Sequence, residues 1–82
     1  MRAIVHIDLK TGVLDPQGKA VSETLTRLGF DEVQDARVGK RIELDLEDGL
    51  SVEAAEQRVK EMCESLLANT VIERYHVEVL AN

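Results

Sequence analysis

Hydrophobic residues change their spacing four times along this chain, and those changes restrict the fold more than any single residue does. Ala3, Val5, Ile7 and Leu9 alternate with Ile4, His6, Asp8 and Lys10. A period of two places the two sets on opposite faces of a strand. From Pro16 the spacing becomes helical: Val21, Leu25 and Leu28 fall at i, i+4 and i+7, while Lys19, Glu23 and Arg27 line another side. Asp15 suits the N-cap, Pro16 the first helical position and Gly29 the C′ position, so a helix of about three turns is predicted.

Val33, Ala36 and Val38 read as a weak strand before Gly39-Lys40, and Ile42, Leu44 and Leu46 alternate cleanly with Arg41, Glu43, Asp45 and Glu47. Together they predict a hairpin. Asp48-Gly49 marks a turn and Ser51 an N-cap. Ala55, Val59, Met62, Cys63 and Leu66 then keep helical spacing through Leu67, with Glu56 and Lys60 in the favourable order for an ion pair. Asn69 suits a left-handed C-terminal position, and Tyr75, Val77 and Val79 alternate in a last strand. The order βαββαβ predicts a single domain over residues 1–82: an α+β two-layer sandwich with a four-stranded, mostly antiparallel sheet and two helices on one face. Ile4, Ile72 and Leu80 would then lie on the uncovered face beside His6, Arg74 and His76. Such an open, partly apolar face points to a homodimer.

Size supports association. A chain of 82 residues buries only about 60 to 65 percent of its unfolded surface, so a lone monomer is marginally stable. Phe30 and Tyr75 are the only aromatic residues, leaving the core to aliphatic side chains. Sixteen acids against ten bases, a net charge of −6, argue against nucleic acid or an anionic membrane as partner, because both are bound by Lys and Arg. Cys63 stands alone, which fits a reducing cytosol, and its apolar stripe makes it a small buried hydrophobe. No apolar run reaches the roughly 18 residues of a membrane span. MRAIVHIDLK at the N-terminus also carries charge where a signal peptide stays apolar. A soluble, cytoplasmic protein is expected.

Residue constellations for chemistry are sparse. TGVLDPQGKA, from Thr11 to Ala20, superficially suggests a phosphate loop. That loop needs four residues between its glycines and a hydroxyl after the lysine, whereas five separate Gly12 from Gly18 and Ala20 follows Lys19. Asp15 adds negative charge and Pro16 lacks an N–H to donate. His6 and His76 become neighbours if the first and last strands pair, but two histidines without cysteines or regularly placed acids make a poor metal set. Glu43, Asp45 and Glu47 fit a wet strand face. No Ser, Thr or Cys sits beside a His in a nucleophile turn. An RNA-recognition domain of the same element order would stack bases on aromatic residues of its central strands, and none are present. A free-standing regulatory domain that binds an amino acid or nucleotide at its dimer interface fits the same order, with Gly12 to Gly18 as the ligand loop. This reading stays open on the residues alone.

Four runs decide further: LKTGVLDPQGKAV (Leu9 to Val21), LGF (Leu28 to Phe30), VGK (Val38 to Lys40) and CESLLANTVIERY (Cys63 to Tyr75). In order and spacing the chain resembles, over essentially its whole length, the small subunit (PurS) of bacterial phosphoribosylformylglycinamidine synthase, also called formylglycinamide ribonucleotide amidotransferase. It departs at Thr70, where the family usually has Pro, and at Arg74, where an acid is more usual.

The resemblance implies a non-catalytic subunit of an ATP-dependent C–N ligase that takes its amide nitrogen from glutamine in purine synthesis. It implies a dimer, or a pair of dimers, that bridges a glutaminase subunit and a large synthetase subunit and assists ammonia transfer between them. No cofactor is expected on this chain; ATP and magnesium are expected on the synthetase. The overall acidity suits basic patches on those partners. Residues expected to face partners are Lys10, Gly12, Val13, Asp15, Pro16 and Gly18 in the first connection, Arg37, Gly39 and Lys40 in the second, and Asn69, Ile72, Glu73 and Tyr75 before and in the last strand. Tyr75 suits the core better than a contact.

Overall fold

The computed structural model describes residues 1–81. Its elements are β1 (Arg2–Leu9), α1 (Pro16–Arg27), β2 (Lys40–Asp45), α2 (Val52–Met62), a π-helical turn (Cys63–Leu67) and β3 (Glu73–Leu80). The sheet has three strands in the order β2-β1-β3, with both outer strands antiparallel to β1. His6 stands opposite Arg41 on one side and His76 on the other.

The expected fourth strand does not form. Residues 33–39 run without strand structure because side chains take the backbone groups a ladder would have used. Asp15 Oδ2 accepts the Val38 N–H at 2.8 Å, and Asp35 Oδ1 accepts the Ala36 N–H at 2.9 Å. An N–H committed in this way cannot pair with a neighbouring strand. The expected hairpin between Val33–Val38 and Ile42–Leu46 is therefore absent, and among the described residues β2 pairs only with β1.

Alternation in β1 places Ala3, Val5 and Ile7 on the covered face, where they are at most 2 % exposed. Ala55, Val59 and Cys63 from α2 and the turn after it are fully buried. Val77, Tyr75, Leu44 and Ile42 pack around the resulting core. Ser51 caps α2 by accepting the Ala54 N–H at 3.1 Å, and Lys60 pairs with Glu56 at 3.1 Å, both as the spacing predicts. Helical periodicity fails once, at Leu66, which is 83 % exposed. The π-helical turn, closed by Ala68 N–H donating to the Cys63 carbonyl at 3.1 Å, adds a residue to the last turn. That extra residue rotates Leu66 outward, and Leu67 packs against the core in its place. Asn69 does not take a left-handed conformation, since every positive φ among the described residues belongs to a glycine.

The second correction concerns α1. Its start and stop follow the sequence: Asp15 caps it, Pro16 opens it and Gly29, at φ 102°, lies just beyond its end. It does not, however, pack on the sheet. Gly18 is its only buried residue, while Val21 and Leu28 are 42 % and 69 % exposed. The chain extends over 51 × 28 × 14 Å with a radius of gyration of 16.3 Å, against roughly 12 Å for a compact domain of this length. One helix covers the sheet; the other stands off as an arm.

Candidate partner-binding surfaces

The connections before α1, before β2 and before β3 meet at one end of the sheet, and most residues expected to face partners converge there. Asp15 ties two of these connections together. Its Oδ1 accepts the Gly18 N–H at 2.8 Å, which caps α1, and its Oδ2 accepts the Val38 N–H at 2.8 Å. These two hydrogen bonds hold the carboxyl below the usual carboxylate range, helped by the Arg37 charge and opposed by burial. Arg37 answers from the other side. Its guanidinium donates to the carbonyls of Val13 at 3.2 Å, Lys10 at 3.3 Å and Leu9 at 3.4 Å. A planar fork with five donors suits three carbonyls that a single ammonium could not span.

Two glycines allow this close packing. A Cβ on Gly18 would lie 2.2 Å from the Ala36 carbonyl oxygen, and one on Gly39 would lie 2.7 Å from that of Ile7. Backbone stands in the way at both positions, so no side-chain movement relieves the clash. Gly12 turns the chain with φ 89°, and Lys10 N–H donates to the Ile72 carbonyl at 2.8 Å, which joins the third connection to the first. Asn69 closes that third connection: its side chain accepts the Val71 N–H at 3.2 Å and its carbonyl accepts the Glu73 N–H at 2.7 Å. Glu73 returns a carboxylate to the Asn69 N–H at 2.7 Å and stands 3.9 Å from Lys40 Nζ. With Thr70 in place of the usual Pro, the turn still closes through Asn69.

Within this junction Pro16 is exposed and Val13 half-buried, while Leu14 beside it is 72 % exposed and Ile72 39 %. Leu14 therefore does not tuck into the core. Tyr75 does pack against the core, as its alternation predicts, and the nearby Glu64 carboxylate followed by burial pushes its phenol up. Cys63 is fully buried, and burial first and the Glu64 charge second push its thiol up, which disfavours a reactive thiolate.

Beside the junction, on the sheet face that α2 leaves uncovered, lies a cleft of about 540 Å³. His6 and His76, opposite each other in register, stack there with ring centroids 6.1 Å apart, and His6 Nε2 lies 2.7 Å from Glu78. Arg74 donates to both carboxylate oxygens of Asp8, at 3.0 and 3.1 Å. Those bonds, the largest influence on the group, hold the Asp8 carboxyl below its usual range. The register sets Arg74 opposite Asp8, which gives this departure from the family pattern a partner within the chain. Arg41, Lys40 and Arg37 complete the basic wall. Sequence reasoning reaches His6, Arg74 and His76 on the open face but misses Arg41 and Asp8 as members of one cleft. Only strand register could have grouped them.

A third surface is the outer side of α1, where Ala20, Val21, Thr24 and Leu25 line a shallow apolar groove. Leu28 and Phe30, 48 % exposed, continue it beyond the helix end.

The family model described as PurS, phosphoribosylformylglycinamidine (FGAM) synthase, matches residues 2–81. The phosphoribosylformylglycinamidine synthase subunit PurS of Bacillus subtilis is 53% identical over 75 residues, covering 92% of this chain and 87% of that one. That of Archaeoglobus fulgidus is 46% identical over 77 residues, covering 94% and 95%. Among solved structures, Methanocaldococcus jannaschii PurS, a subunit of formylglycinamide ribonucleotide amidotransferase, superposes with a TM-score of 0.85 at 39% identity, covering 94% of this chain and 92% of that one. With a family match across nearly every residue and a backbone that follows solved relatives, this chain belongs to the PurS family of phosphoribosylformylglycinamidine synthase subunits.

Proposed function

We propose that this chain works in the synthase complex of purine biosynthesis as a homodimer that bridges a glutaminase subunit and a large synthetase subunit and helps ammonia pass between them. It is a non-catalytic member of an ATP-dependent ligase complex. ATP and magnesium belong, on this reading, to the synthetase, and the complex works in the cytoplasm. Among the described residues no helix is long and apolar enough to cross a membrane, which is compatible with that location.

The observation that carries the dimer is the position of α1. Its apolar stripe faces solvent, while Ile42, Leu44 and Leu46, at the β2 edge of the covered sheet face, pack against the core yet stay only half-buried. One missing contact leaves both surfaces unsatisfied. A second copy related by a two-fold axis supplies it twice, because in an isologous pair each stripe meets the same patch on its partner. Burying a Val or Leu side chain contributes about 1.5–3 kcal/mol, so Val21, Leu25 and Leu28 make that contact worthwhile.

Bridging follows from chemistry. Ammonia released into neutral water is mostly protonated and no longer nucleophilic, so the route between two active sites must be closed to solvent. A module that touches both subunits holds them in register. The junction of Lys10, Gly12, Val13, Asp15, Pro16, Gly18, Arg37, Gly39, Lys40, Asn69, Ile72, Glu73 and the adjoining Tyr75 suits such a bridge, since its backbone is cross-tied and it presents Leu14 and Ile72 outward.

The test is reconstitution with the purified glutaminase and synthetase subunits. Glutamine-dependent synthesis should depend strongly on this chain, and ammonia-dependent synthesis should not. Equal activity of the glutamine reaction without the chain would refute the bridging role.

A further inference from the structure

The open-face cleft gathers basic side chains in an otherwise acidic chain. Four of the ten basic residues, Arg37, Lys40, Arg41 and Arg74, line it with Asp8, while Glu43, Glu73 and Glu78 stand at its rim beside Arg41, Lys40 and His6. We infer that this cleft docks an acidic segment of a protein partner, with Asp or Glu carboxylates of that segment laid along the Arg41–His6–His76 row and the adjoining Arg74. The inference rests on the bridging role proposed above and assigns part of the chain's contact to a surface rich in basic side chains.

Three features select this occupant. First, the hydrogen-bond donors are spread along the sheet. Arg41, His6 and His76 are register partners on adjacent strands, so the row advances by about 5 Å per strand. Several carboxylates in series match that spacing, whereas a single phosphate needs donors converging on one point. Second, the charges are available. Arg41, Arg74 and Lys40 pair with Glu43, Asp8 and Glu73, and the three basic side chains are 52 %, 62 % and 57 % exposed. Exposed pairs such as Arg41–Glu43 and Lys40–Glu73 are weak and exchangeable, so incoming carboxylates replace or share them at little cost, while the two-pronged Arg74–Asp8 pair holds more firmly and is shared. Arg37 bonds backbone carbonyls and has no carboxylate in salt-bridge reach among the described residues, so its charge reaches the cleft fixed in place. Third, the His6–His76 stack floors the cleft with a flat surface between the charges.

The experiment uses the full chain, fluorescently labelled, titrated with the purified synthetase and glutaminase subunits between 50 and about 300 mM NaCl, a range over which screening changes markedly. Arg41→Glu should weaken binding to one of the two by about tenfold or more at low salt, with the difference shrinking as salt rises; Arg41→Lys should stay near wild type. Circular dichroism should be unchanged, and Arg74→Gln provides a second variant if Arg41→Glu proves misfolded. A hexaglutamate peptide should compete for the site, and inorganic phosphate at equal ionic strength should not. Unaltered affinity and salt slope in folded Arg41→Glu and Arg74→Gln would overturn the inference and leave the bridging role standing. Failure of the wild type to bind either subunit would remove both. Competition by phosphate but not by hexaglutamate would reassign the cleft to a small anion, and salt-sensitive self-association lost in Arg41→Glu would reassign it to a second copy; either overturns the inference.

Discussion

The two helices of this protein begin alike and end in opposite circumstances. α1 has 12 residues and α2 has 11, each opens on a side-chain N-cap, and each carries an apolar stripe. Yet Ala55 and Val59 of α2 are fully buried, while Val21 of α1 and Leu28 at its C-cap are exposed. Amphipathic spacing states that a helix must be covered; it does not state by what. α2 finds its cover in β1 and β3 of the same chain. The clamp between Asp15, Arg37 and residues 36–38 aims α1 away from that sheet, so its cover must come from elsewhere.

The largest expected effect breaks the self-sufficient half. Ile7→Ala, at a position 2 % exposed, should cost about 3 kcal/mol, read from urea unfolding at several protein concentrations and the same at each. Next comes the clamp. Gly18→Ala places a methyl group against the Ala36 carbonyl and should destabilise by about 1–3 kcal/mol, with the loss seen as increased amide exchange in α1 and residues 33–39 before the sheet is affected. Leu25→Ser sharpens the contrast between helices. If a second copy covers α1, this change should abolish the concentration dependence of the melting temperature and yield a monomer by sedimentation; a dimer of wild-type strength would show that α1 is not the contact.

Two smaller effects concern the junction. Val13→Asp should leave circular dichroism nearly unaltered while weakening co-purification with the glutaminase, and a folded variant with unchanged recovery would remove Val13 from the contact. Asp15→Asn tests the clamp by pH. The Asp15 carboxyl titrates below its unfolded value of about 3.9, so its contribution is fully present above that pH and is lost as pH falls through the lower, folded value. The variant should therefore lose part of the acid-dependent fall in wild-type stability that sets in as pH drops below about 4, while melting lower at neutral pH. Identical acid profiles would mean that Asp15 is not held by the Gly18 and Val38 N–H groups.

The candidate surfaces were unevenly legible. Asp15, Pro16 and Ser51 announced the helix starts, because a cap is a local hydrogen bond between residues close in sequence. Residues expected to face partners gathered at one end of the sheet because they sit in connections, and connections at the same end of adjacent strands meet. Val33, Ala36 and Val38 misled because their alternation matches a strand, whereas the Val38 N–H was claimed by Asp15 from 23 residues away. Leu66 misled because one π-helical turn shifts the phase of everything after it.

By itself, then, the order of periods determined where both helices and three of the four expected strands lie, which face of β1 is covered, and that Cys63 lies inside. Those are consequences of spacing, and spacing is written in the chain. Tertiary structure alone decided that the sheet stops at three strands, that α1 leaves it, and that four cations share one cleft in an acidic protein. Each of these depends on which distant groups compete for a particular N–H, carbonyl or face, and no local pattern records the outcome of that competition.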